Sequence, residues 1–129
     1  MADKLNILIV DDEKDFLEAI STYLNKEGYS TKCSQSGKEA LEILKSERPD
    51  LVLLDVVMPD FDGVDTLAEI RKIYPDLAVI MITAYTSNKR IIEAEEYGVT
   101  GFFRKSSDFS HAAKMIKTFL KKIEGESDN

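Results

Sequence analysis

Residues 5–12 read LNILIVDD: an apolar run from Leu5 to Val10, broken only by Asn6, that stops at two aspartates. A short run without polar alternation is what a parallel strand buried on both faces requires. The next residues change period. From Glu13 to Glu27, Phe16, Leu17, Ile20 and Leu24 recur at helical spacing, Asp12 stands where a cap would, and Gly28 follows as a C-terminal stop.

The same cycle repeats outward from this unit. Tyr29 to Ser34 reads as a strand, and Ser36 to Ser46 as a helix with Ala40, Leu41 and Leu44 inward. Pro49-Asp50 is a turn, and Leu51 to Leu54 is a third apolar run ending at Asp55. A loop, Met58-Pro59-Asp60-Phe61-Asp62-Gly63, leads to a helix from about Val64 to Tyr74. A fourth strand runs from Ala78 to Ile82 and is closed by Thr83. A helix from about Ser87 to Tyr97, a short strand near Gly101 to Phe103 and a last helix from about Asp108 complete the pattern. In the last helix Phe109, Ala112, Ala113, Ile116, Phe119, Leu120 and Ile123 form one stripe.

Five strand-helix alternations predict an α/β domain, a doubly wound five-stranded parallel sheet with five helices on its two faces. Strand order 2-1-3-4-5 is favoured, because the first strand reads as central. One domain accounts for the chain of 129 residues, with a core over about 5–123 and a polar tail over 124–129. No output domain is visible, which suits a stand-alone regulator that acts by protein contact.

Composition narrows the function. The formal net charge of -7 disfavours contact with nucleic acid or anionic lipid. The N-terminal apolar run is too short for a signal peptide or membrane span, so a cytoplasmic location is expected. The single cysteine, Cys33, precludes an intramolecular disulfide and a cysteine zinc cluster, and its expected role is a small buried core residue. His111 has no ligand partner at metal spacing and reads as structural or exposed.

In doubly wound sheets ligands bind beyond the carboxyl ends of the strands. There the sequence places Asp11-Asp12, Asp55, Thr83-Ala84 and, two residues after the fifth strand, Lys105. With strands one and three adjacent, three carboxylates meet. Two unit charges about 4 Å apart repel by about 4 kcal/mol at an effective dielectric near 20, so the cluster calls for a cation. Carboxylates, a carbonyl and water suit Mg2+ or Mn2+ rather than zinc. A metal with a free carboxylate, an ammonium and a hydroxyl is equipment for phosphoryl transfer, with Asp55 as nucleophile, Lys105 and Thr83 on the phosphoryl oxygens, and Ala84 leaving room.

Asp11-Asp12-Glu13, Asp55 with Met58-Pro59 and Asp62-Gly63, Thr83-Ala84 and Lys105, in that order, resemble the receiver domains of two-component response regulators over nearly the whole chain. The resemblance implies a flavodoxin-like, CheY-like fold and phosphorylation of Asp55 from a histidine kinase or histidine phosphotransfer protein. It implies metal binding by Asp12, Asp55 and the Val57 carbonyl, with Asp11 acting chiefly through a metal-bound water. It also implies that Phe102 turns inward when Thr83 moves, so that the face of the last two helices and fifth strand is read by a downstream protein target. Such a domain catalyses its own phosphorylation and dephosphorylation without being a turnover enzyme. It works as a monomer or a weak, phosphorylation-linked dimer.

One departure and one pair of tuning positions bear on this expectation. Ser106 follows Lys105 where the family usually has proline, and a cis bond before a non-proline residue costs about 2.5 to 4 kcal/mol, so a trans or rearranged loop is expected. Val57 and Tyr85 occupy positions that tune phosphoryl lifetime, and neither orients an attacking water well, which predicts slow self-dephosphorylation. The alternatives are a receiver-like interaction domain whose output ignores phosphate, a haloacid-dehalogenase type enzyme and a flavin-binding domain. Val57 stands where the dehalogenase type needs an aspartate, and Asp11-Asp12-Glu13 stands where a flavin phosphate would need a neutral loop.

Overall fold

A computed structural model describes residues 5–56, 62–83, 88–104 and 109–125. In chain order the elements are β1 (Asn6–Val10), α1 (Lys14–Lys26), β2 (Ser30–Ser34), α2 (Gly37–Ser46), β3 (Leu51–Asp55), α3 (Gly63–Ile73), β4 (Ala78–Thr83), α4 (Asn88–Glu96), β5 (Gly101–Arg104) and α5 (Phe109–Ile123). The strands form one parallel sheet in the order β2-β1-β3-β4-β5, the order that the central character of the first strand predicts.

Strand periodicity divides the core in two. Leu8, Val10, Val52, Leu54, Val79 and Met81 face one way and pack with Ala40 and Leu44 of α2, Leu67 and Ile70 of α3, and Ala94 of α4. Ile7, Ile9, Leu51, Leu53, Ile80 and Ile82 face the other way, onto Leu17, Ile20 and Leu24 of α1 and Ile116 and Leu120 of α5. The three central strands are therefore apolar on both faces, and their carboxyl ends open at one edge of the layered core.

Local chemistry sets the helix ends. Ser36 caps α2 by accepting the Glu39 amide on its side chain at 3.1 Å. Gly28, at φ 101°, ends α1: its amide donates to the Asn25 carbonyl and the Tyr29 amide to the Leu24 carbonyl, the paired bonds that close a helix through a left-handed residue. α3 stops at Ile73, since Tyr74 precedes Pro75 and is pushed to extended geometry.

Two expectations are corrected. Cys33 is exposed, because β2 is an edge strand in which only Ser34 is buried. Asp12 does not cap α1. The N-cap is Glu13, without a side-chain cap bond, and the Glu13 amide donates instead to Asp11 Oδ1 at 2.8 Å. Asp11 is wholly buried at the end of β1 and takes the nearest amide, while Asp12 faces solvent.

Candidate functional site

The site begins with backbone register. β1 and β3 are neighbours, with Val10 opposite Leu54, so the residues that follow each strand's apolar run arrive at the same edge. One carboxylate oxygen from each of Asp11, Asp12 and Asp55 lies within 4.8 Å of the others. Asp11 and Asp55 are buried and Asp12 is exposed, so the group has a dry floor and an open mouth.

Carboxylates this close suit a hard divalent cation, which accepts oxygen donors and keeps several waters. The donor set fits such an ion. Among the described residues the group is all carboxylate, with no nitrogen or sulfur ligand, a donor set unlike that of a zinc-type centre.

β4 supplies the next wall. Ile82 stands opposite Asp55, and the Val56 amide donates to the Ile82 carbonyl at 2.9 Å, which carries Thr83 to the same carboxyl end of the sheet. Thr83 is 6% exposed, and its Oγ1 is buried with no hydrogen-bond partner among the described residues. A buried hydroxyl in that condition costs free energy and gains from an incoming acceptor. Phosphoryl oxygens are such acceptors.

The chain leaves the site through a tight passage. Gly63 opens α3 with its amide on the Val56 carbonyl at 2.9 Å, and a Cβ at this position would lie 2.1 Å from the Asp55 carbonyl oxygen. Only glycine fits there. Asp62 caps α3, its Oδ1 accepting the Val64 and Asp65 amides at 3.0 and 3.1 Å, and its Oδ2 pairs with Arg90 of α4.

Phe102 stands opposite Met81 on β5 and packs, half-buried, against the core face that includes α2, α3 and α4. Lys105, Ser106, Val57, Met58, Pro59, Asp60, Ala84 and Tyr85 lie outside the described residues, as does the His111 side chain.

The receiver-domain model of response regulators matches residues 7–117, which include every element from β1 into α5. The chain belongs to the response regulator receiver family. This receiver is 39% identical over 114 residues to sporulation initiation phosphotransferase F of Bacillus subtilis, spanning 88% of this chain and 92% of that protein. It is 36% identical over 118 residues to the transcriptional regulatory protein ZraR of Escherichia coli, spanning 92% of this chain but only 27% of that longer protein. Among solved structures, a CheY-like receiver domain protein of Methanospirillum hungatei superposes with a TM-score of 0.86 at 28% identity, covering 98% of this chain and 100% of that one.

Sequence reasoning passed over two arginines. Arg90 pairs with Asp62 and Glu93, and Arg71 donates to the carbonyls of Tyr97, Gly98 and Tyr74 at 2.7, 2.6 and 3.0 Å. The Asp-Gly step before an apolar helix was a legible cap signal for Asp62. Nothing local marked its partner, 28 residues away. Among the described residues, no helix is long and apolar enough to cross a membrane.

Proposed function

We propose that this receiver domain is a phosphoryl-accepting switch: Asp55 takes a phosphoryl group from a phosphohistidine donor, with Asp12, Asp55 and the Val57 carbonyl holding Mg2+ or Mn2+ and Asp11 acting chiefly through a metal-bound water. The observation that carries the reading is the buried Asp55, one of three clustered carboxylates, on the strand next to the one that ends in Thr83, whose hydroxyl has no partner among the described residues.

The bound cation would neutralise the carboxylates and the charge on the transferred oxygens. An Asp55 carboxylate oxygen attacks phosphorus, the phosphorus–nitrogen bond to the donor imidazole breaks, and the electron pair returns to that nitrogen, which then takes up a proton. Thr83 Oγ1 donates to a phosphoryl oxygen, and Lys105 supplies an ammonium to the same group. Catalysis here is positioning and charge neutralisation, so both carboxylate floor and hydroxyl wall must be in place before the donor arrives.

A histidine kinase or histidine phosphotransfer protein is the donor, and the output is a change in the α4-β5-α5 face read by a downstream protein. Thr83 and Phe102 transmit it: Thr83 is drawn toward the phosphoryl group and the half-buried Phe102 ring turns inward. The net charge of -7 supports a protein partner over a direct nucleic acid one.

Borohydride trapping tests the acceptor. After incubation with acetyl phosphate and magnesium, reduction converts an aspartyl phosphate to homoserine, and peptide mass spectrometry should place homoserine at position 55. Homoserine at Asp11 or Asp12, or none anywhere, would overturn the assignment.

A further inference from the structure

Asp62 and Arg90 join the start of α3 to the first turn of α4. Asp62 is anchored to the acceptor strand: it immediately precedes Gly63, whose amide is bonded to the Val56 carbonyl and whose Cα leaves no room for a methyl group against the Asp55 carbonyl. Its Oδ1 is committed to two α3 amides, which leaves Oδ2 to face α4. Arg90 is anchored elsewhere. It sits in the first turn of α4, on the chain segment that follows Thr83, and its other Nη is held by Glu93. Both side chains are about two-thirds shielded from solvent, at 30% and 29% exposure, so the pair is less screened than the surface pairs Lys45–Glu42 and Lys72–Glu69.

Resting on the phosphoryl-acceptor reading above, we propose that the Asp62–Arg90 pair is a positioning latch. It holds the N-terminus of α4 against the start of α3 in the unphosphorylated arrangement and so sets how readily the domain responds to phosphate. The Thr83 hydroxyl, which makes no hydrogen bond among the described residues, gains one by moving toward a phosphoryl oxygen. On this proposal Arg90 of α4 shifts with Thr83, while Asp62 stays tied to β3 through Gly63. An interaction made better in the resting state than in the phosphorylated state must weaken phosphoryl binding by the same factor.

The test is a double-mutant cycle read on affinity for beryllofluoride, a phosphoryl mimic, in saturating magnesium. Arg90→Met removes the charge at similar length. Asp62→Ser keeps a capping side chain for α3 and removes the carboxylate. Each single variant should bind beryllofluoride about threefold more tightly than wild type, the double variant should bind no tighter than either, and Arg90→Lys should stay near wild type. A merely structural pair would lower the melting temperature without this gain. Affinity unchanged or weakened in both single variants, or single effects that multiply in the double variant, overturns the latch. If wild type takes up no beryllofluoride while Asp55→Asn behaves identically, the acceptor reading itself fails and the latch with it.

Discussion

The α-carbon of Gly63 lies so close to the main-chain carbonyl of Asp55 that a single added carbon would stand 2.1 Å from its oxygen. The acceptor strand and the first turn of α3 are thereby packed backbone to backbone, and the position of Asp55 depends on a residue eight places along the chain.

That contact predicts the effect of Gly63→Ala. The added methyl group would meet backbone at Asp55 and Val56, neither of which can yield as a flexible side-chain tip could. Overpacking of this kind costs about 1–3 kcal/mol or more. Urea denaturation should show the loss, and magnesium affinity should fall with it because the acceptor strand is displaced. Full stability with intact metal binding would show that the backbones separate more easily than the packing implies.

Arg71 predicts a different effect. Its guanidinium spans from α3 to the carbonyls of Tyr97 and Gly98 just past α4, and to Tyr74 at the end of its own helix. Burial lowers the Arg71 pKa below the usual arginine value, with Asp76 opposing, yet the group stays charged at any physiological pH. Arg71→Gln should destabilise the domain by about 1–3 kcal/mol, since hydrogen bonds from a charged donor are lost and carbonyls are stranded. Hydrogen exchange should quicken first at the amides of Tyr97, Gly98 and Thr100, before the central strands are affected.

Lys117 on α5 meets Glu27 beyond α1 at 2.7 Å, and the hydrogen bond and charge of Glu27 raise the lysine pKa above its ordinary 10.5. A base whose pKa is higher in the folded state than in the unfolded state contributes stability that is complete below the unfolded value. The contribution is lost as pH climbs through the folded value. The melting temperature of wild type should therefore exceed that of Lys117→Met by a margin that holds up to pH about 10.5 and shrinks above it. Because the pair faces solvent, added salt should shrink the same margin. A margin that grows with pH would contradict the assignment.

What was legible in the sequence follows from burial. Ile7 to Val10, Leu51 to Leu54 and Val79 to Ile82 are covered on both faces, so their sequences carry no polar alternation and announce a parallel sheet. Asp11, Asp55 and Thr83 were visible because polar groups that end such runs mark strand ends. The edge strand was harder: STKCS keeps only Ser34 buried, and Cys33 therefore follows the exposure of its strand rather than the habit of its residue type. Asp12 looked like a cap because caps are read from residue type. The bond went to Asp11 because burial left that carboxylate dependent on the nearest amide. The arginine contacts from Arg71 to Tyr97 and from Asp62 to Arg90 span 26 and 28 residues, and no local pattern encodes a partner that tertiary packing alone brings near.

The most direct measurement of the central claim is the intact mass of wild type and of Asp55→Ala after incubation with a small-molecule phosphodonor, each with and without magnesium. A phosphoryl switch built on the Asp11, Asp12 and Asp55 cluster predicts one phosphoryl adduct on wild type with magnesium and none in the other three samples. An adduct that survives Asp55→Ala, or forms equally without magnesium, would contradict it. So would a folded, magnesium-binding wild type that stays unmodified, and that result would point to a receiver-like domain whose output does not depend on phosphate.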